Sequence, residues 1–269
     1  MRWRLLALLL CVALFLSACG GQEAGGLTVT GSTSVTPFAE HLAELYQHQH
    51  AGTTINIQGL GSSAGIRAAL DGIAEIGMSS RELKAEEADQ LDQVVIARDA
   101  LAMIVNPSNP VSDLSREQIQ AIFGGATRSW ADLGGPDVPI VLVSREAGSG
   151  TYGAFEELVM KNEPIATSAM RQGSNGAIRQ IVAEDIYAIG YISLGIVDNT
   201  VKALSIGGVQ PSAEHVEDGS YTLVRPFLFV WRKGQPLGQL ASGFLDYVLG
   251  PEGQRELTNA GLVRGEARQ

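Results

Sequence analysis

The chain has 269 residues, with 29 acidic against 19 basic side chains and a formal net charge of −10. That balance argues against a nucleic-acid binder, because a phosphate backbone demands a basic footprint. It also means that long-range attraction cannot gather an anionic ligand, so any anion site must work through local dipoles and a well-placed cation.

Arg2 and Arg4 precede an apolar run over residues 5–16, which is too short to span a bilayer and is followed by Ser17-Ala18-Cys19-Gly20. A charged start, a short apolar stretch and small residues describe a secretory signal over residues 1–18. Leu16-Ser17-Ala18-Cys19 resembles the lipobox of bacterial lipoproteins, and the resemblance implies that Cys19 becomes the lipid-bearing first residue; a plain signal peptide is the alternative. Cys11 leaves with the signal, so the mature chain has no pair with which to form a disulfide. Residues 19–26, rich in glycine, are expected to form a flexible tether. Nothing later is long and apolar enough for a transmembrane helix.

Residues 27–30 form a strand-like run leading into Gly31-Ser32-Thr33-Ser34-Val35-Thr36-Pro37, after which Phe38, Leu42, Leu45 and Tyr46 fall at helical spacing. Pro37 suits a first helical turn. His41, His48 and His50 lie in or just after this helix at spacings that match no metal motif, so they are read as a solvated face. Residues 53–58 alternate Ile55 and Ile57 with polar side chains as a strand does, before Gly59-Leu60-Gly61-Ser62-Ser63-Ala64-Gly65 and a helix carrying Ile66, Ala69, Leu70 and Ile73. Residues 75–80 give another strand ending in Ser79-Ser80-Arg81, with a charged helix expected over 84–91.

The apolar run over 94–105, interrupted by Arg98 and Asp99, exceeds the usual strand length and suggests a strand that leaves one lobe and enters another. Ser115-Arg116-Glu117-Gln118 is a capping-box start for a helix with Ile119, Ile122 and Phe123, and Trp130 anchors the loop that follows. Residues 139–143 then lead into Ser144-Arg145-Glu146-Ala147-Gly148-Ser149-Gly150-Thr151, with Tyr152, Phe155, Leu158 and Val159 periodic beyond it. This strand, glycine-and-hydroxyl loop and helix start suit an anion, with Arg145 as a charged fork at the strand end. The plainer reading makes Ser149 an ordinary N-cap. Ser174 caps a further helix, residues 187–193 form a strand, 201–206 are expected to cross back between lobes, and 207–220 form a polar loop. Residues 221–231 read as a strongly apolar strand in which Pro226 marks an edge or a bulge, and two helices over 237–249 and 251–262 close the chain.

Alternating strands and helices imply an α/β fold with a largely parallel core, whose ligands bind beyond the carboxyl ends of the strands. Four loops have the right chemistry: 31–36, 61–64, 79–81 and 145–151. The long apolar run separates the last from the others, so two α/β lobes with a ligand cleft between them are expected. The boundaries would be 27–100 with 206–269 for one lobe and 101–205 for the other. Two enzyme motifs compete. Gly59-x-Gly61-x-x-Ala64 is a lone variant of the dinucleotide fingerprint, following the second strand rather than opening the fold. Gly61-Ser62-Ser63-Ala64-Gly65 matches a nucleophile elbow, and Asp185 or Asp198 with His215 would complete a serine hydrolase using Ser63. The chain has no His-Gly-Gly oxyanion loop, and the same serine-and-glycine chemistry recurs in other loops where no elbow exists.

Taken together, the four loops, the Ala188-Ile189-Gly190-Tyr191 strand and the Arg225-Pro226 strand resemble the substrate-binding lipoproteins of bacterial high-affinity phosphate ABC transporters. The resemblance implies a type II periplasmic-binding-protein fold and a monomeric receptor outside the cytoplasmic membrane. Such a receptor is lipid-anchored through Cys19, holds inorganic phosphate, hands it to an ABC permease, and has no cofactor, no metal and no chemistry of its own. Carried over position by position, it implies a phosphate site of Ser34 with the Val35 amide, Thr33 as a neighbour, Ser62 with Ser63, Ser80, Arg145, Ser149, the Gly150 amide and Thr151. Some family members place an aspartate where this chain has Ser80, and that carboxylate accepts the proton that phosphate has and sulfate lacks. Glu146 is a candidate for the missing acceptor or for neutralising Arg145. A receptor for sulfate, molybdate or tungstate is the related alternative.

Overall fold

The computed structural model describes residues 26–161 and 163–265. The signal segment, Cys19 and all of the tether except Gly26 lie outside the described residues.

The first part of the chain runs β1 (Gly26–Gly31), α1 (Thr36–Gln49), β2 (Thr54–Gly59), α2 (Ser62–Asp71) and β3 (Ile76–Ser79). A short helix α3 (Ala85–Ala88) then leads into β4 (Leu91–Val105). The charged helix expected over 84–91 is therefore only four residues long, because Leu91 is buried and enters the sheet opposite Arg232. Next come β5 (Asp113–Leu114), α4 (Arg116–Gly124), β6 (Val141–Arg145), α5 (Gly150–Phe155), β7 (Met170–Gln172), α6 (Asn175–Glu184) and β8 (Ala188–Ser193). The chain closes with β9 (Lys202–Ala203), β10 (Ser205–Ile206), α7 (Ala213–Glu217), β11 (Val224–Arg232), α8 (Gln239–Leu249), α9 (Pro251–Asn259) and β12 (Val263–Arg264).

The strands order β2-β1-β3-β11-β4-β8-β6-β7, with β4 shared between two halves. Its first ten residues pair antiparallel with β11, and Leu101–Val105 pair antiparallel with β8. Within each half the βα units are parallel, β1 with β2 and β3, β6 with β7 and β8. The period-two pleat sorts side chains to opposite faces. Leu101, Met103 and Val105 pack with Phe123, Trp130, Phe155 and Tyr191, while Ala102 and Ile104 pack with Val143, Ile178 and Val182 on the other face. In the first half, Phe227 and Phe229 join Phe38, Leu42 and Phe244, and Leu228 and Val230 join Ile66 and Ala69. Both halves are thus covered on both faces, as parallel sheets require.

One expectation about the crossings needs correction. Residues 201–206 do not cross back: β9 pairs with the far end of β4 and β10 pairs with β5, both in the second half. Tyr221 and Leu223 still pack in the second-half core, with the Leu101 amide donating to the Leu223 carbonyl at 2.8 Å, so the return lies between Leu223 and Val224. The polar composition of 207–220 hides this, since α7 and its flanks lie on the surface of the second half. Of the two readings of Pro226, edge or bulge, the edge does not hold, and a bulge lies one residue beyond it. β11 sits between β3 and β4 with a register shift between Phe227 and Leu228, and Pro226 lies opposite Arg98 of β4, outside the stretch that pairs with β3.

Candidate anion-binding site

The first loop turns at Gly31, with φ +145°, where an added Cβ would lie 2.2 Å from the Met78 carbonyl oxygen. Only glycine fits there. The turn sets Ser32 to accept the Ser34 and Val35 amides on its Oγ at 3.2 and 3.4 Å, while its own hydrogen goes to Ser80 Oγ at 2.8 Å. Ser62, at the start of α2, accepts the Ser80 amide at 3.1 Å and lies 3.4 Å from the Ser80 hydroxyl. Three loops of the first half are thus tied together by buried serines.

From the second half, Arg145 ends β6 with no solvent exposure. Tyr191, stacked on Phe155 at 3.9 Å between ring centroids, holds this strand end through Ser144 Oγ at 2.7 Å and the Arg145 amide at 3.3 Å. Burial pushes the Tyr191 hydroxyl up to about 12, so it remains a neutral donor. The guanidinium donates to the Gln172 and Gly173 carbonyls at 3.1 and 2.9 Å, and reaches Thr33 Oγ1 at 3.0 Å and Thr151 Oγ1 at 3.4 Å. No carboxylate stands within ion-pair distance of it among the described residues. Desolvation first, and then the charge of Arg225, lower its pKa to about 10.

The two halves meet directly. Ser34 Oγ lies 2.8 Å from Thr151 Oγ1 and accepts from Asn175 Nδ2 at 2.9 Å and Arg225 Nη2 at 3.3 Å. Ser63 donates its amide to the Gly148 carbonyl at 3.2 Å. An added Cβ on Gly150 would come within 2.2 Å of Ser62 Oγ and 2.6 Å of Ser80 Oγ. Arg225 is itself buried and donates to Asp99 Oδ2 through Nε and Nη2, at 3.0 and 2.9 Å. Burial pushes the Asp99 carboxyl up, opposed by the Arg225 charge and by the bonds from Ser193, Arg225 and the Gly195 amide. Asp99 offsets one of the two buried guanidinium charges, which leaves the other surrounded by hydroxyls and backbone.

Of the expected site residues, Thr33, Ser34, Ser62, Ser80, Arg145, Gly150 and Thr151 converge here. Ser149 caps α5, its Oγ accepting the Thr151 and Tyr152 amides, so the plain N-cap reading holds for its oxygen and leaves its hydrogen for other use. The Val35 amide is engaged by Ser32. Ser63 is not brought into the cluster: its side chain is exposed because the first turn of α2 points Ser62 inward instead. His215 bonds the Gln210 carbonyl, Asp185 the Tyr187 amide, and Asp198 pairs with Thr200 and Arg179, so no hydrogen bond joins any of them to Ser63 among the described residues. Glu146 is exposed and acts on Arg145 only as a nearby charge.

The sequence reading missed Ser32, Asp99, Asn175 and Arg225 as members of the site. Opposite charges inside two long apolar strands were a usable signal for Asp99 and Arg225, which turn out to be register partners. Asn175 follows a capping serine at a helix start, as the other donors do, but without glycines to draw attention to it.

The PBP superfamily domain matches residues 17–252. The phosphate-binding protein PstS of Bacillus subtilis is 32% identical over 255 residues, covering 92% of this chain and 83% of its own. A Clostridium perfringens protein assigned as a phosphate ABC transporter substrate-binding protein, solved with phosphate bound, superposes with a TM-score of 0.86 at 42% identity, covering 89% of this chain and 99% of that one. An ABC-type phosphate transport receptor from Vibrio cholerae gives 0.74 at 35% identity, covering 88% and 99%.

Proposed function

This chain belongs to the PBP superfamily and, within it, to the phosphate-binding PstS proteins, and on that premise we propose that it binds inorganic phosphate outside the cytoplasmic membrane and delivers it to an ABC permease for import. The observation that carries the reading is Arg145, a fully buried cation without a carboxylate partner among the described residues, ringed by hydroxyls from both halves of the molecule. Ser62, Ser80 and Thr151, the first-turn Gly150 amide and the free hydrogens of Arg145 and Arg225 supply the donors, and Ser34 orients the Thr151 hydroxyl among them. The protein performs no chemistry on its ligand, and Cys19 anchors it as a monomer by its lipid. Hydrogen bonds to a charged group contribute roughly 1.5–3 kcal/mol each, so six or more reach the ~8 kcal/mol of a micromolar site after desolvation and closure.

At a hundredfold excess over the dissociation constant, phosphate stabilises the fold by about 2.7 kcal/mol, and Tm rises by roughly 5–10 °C for a chain of this size. Arg145→Ala abolishes that rise in a thermal scan. A wild-type Tm that ignores millimolar phosphate rules the function out.

A further inference from the structure

Asn175 opens α6 behind the Ser174 cap and is 1% exposed. Its Nδ2 bridges the cleft to Ser34 Oγ, and its Oδ1 is buried with no hydrogen-bond partner among the described residues. A bare buried carbonyl is costly, so its retention at a ligand site asks what donor it meets.

The hydrogens around it can be traced. Ser34 Oγ accepts from Asn175 and Arg225, so its own hydrogen goes to Thr151 Oγ1, which also accepts from Arg145. The Thr151 hydrogen is thereby freed for a ligand. Of the two carboxylates nearby, Asp99 is filled by Arg225, Ser193 and Gly195 and Glu146 is exposed, so neither stands ready as an acceptor. The cluster therefore offers hydrogens on several sides, its hydroxyls can turn either way, and the Asn175 carbonyl is its one buried acceptor-only side-chain atom without a partner among the described residues. Hydrogen phosphate matches that set, with accepting oxygens and one O–H. Sulfate and selenate carry no proton at neutral pH and would set an oxygen lone pair against the Asn175 carbonyl.

Resting on the phosphate reading of the site, we propose that Asn175 Oδ1 accepts the proton of the bound oxyanion and so sets the preference for phosphate over sulfate. A neutral amide does this less forcefully than a carboxylate, so the preference can be raised as well as lowered.

The test is calorimetry on the full mature protein with phosphate and arsenate, which carry a proton, against sulfate and selenate, which do not. Wild type prefers the protonated pair. Asn175→Ala narrows the ratio of dissociation constants about tenfold, the worth of one such buried contact at 1.4 kcal/mol per decade. Asn175→Asp, the same size and fit to the same fold, widens it. If wild type binds phosphate but both variants leave the ratio unchanged while weakening all four anions equally, Asn175 is only a strut across the cleft and the assignment is overturned. The Asp arm decides alone if the Ala variant does not fold. A wild type that binds none of the anions overturns the phosphate reading itself.

Discussion

Arg145 is held by two carbonyls and two hydroxyls rather than by a carboxylate. Burial and the facing Arg225 lower its pKa to about 10, so in the fold the charged form is disfavoured. The sign follows directly: without an anion the cost of this charge is fully present below about 10 and is relieved as pH rises through it, and an anion relieves it at any lower pH. Once the ligand is fully ionised to hydrogen phosphate above neutral pH, its affinity should therefore be flat up to about 10 and fall above, measured by titration across buffers. Arg145→Lys should bring that fall to lower pH, because lysine starts about two units lower and loses the planar fork. An unchanged profile in the lysine variant would show that another group sets the pH dependence.

At the level of elements, the start of α5 packs directly against the opposite half. Alanine is ordinarily a better helical residue than glycine by about 1 kcal/mol. At Gly150 the added methyl would meet the Ser62 and Ser80 hydroxyls at 2.2 and 2.6 Å, atoms that belong to the opposite half. Gly150→Ala should leave the ligand-free Tm within a few degrees, since each half keeps its own core, and yet weaken phosphate binding by two or more orders of magnitude by wedging the cleft open. A calorimetric affinity equal to wild type would mean the cleft does not need this contact. The same loop shows how a residue type is legible while its use is not. The hydroxyl of Ser149 was visible as a cap or as a ligand, and the geometry shows its oxygen capping Thr151 and Tyr152.

Across the whole molecule, an acidic chain carries the two buried guanidinium groups of its described residues in one cleft. The net charge of −10 repels a divalent anion at long range, while the contacts that bind it act over a few ångströms. Sodium chloride, whose Debye length is about 10 Å at 0.1 M, should screen the repulsion and raise the association rate constant for phosphate in stopped-flow measurements. A rate that falls with salt would require a basic approach path that the composition does not provide. Asp99 and Arg225 link this scale to the site, because they sit on β4 and β11, the strands through which the chain passes between halves.

Local chemistry was enough to place the four loops, the α/β class and the crossing on β4, because glycine turns, helix caps and period-two or period-3.6 patterns are written in neighbouring residues. The same is true of Arg145, which stands out as a charge beside glycines and hydroxyls. What only the tertiary structure decided is which groups face each other across the cleft. Whether Ser62 or Ser63 turns inward depends on the phase of α2 against β3, and the return at Leu223 depends on a core shared with residues more than a hundred positions away. Arg225, Asp99 and Asn175 join the site through long-range register and cross-cleft contact. Such pairings arise from packing two halves together, and no window of adjacent residues contains them.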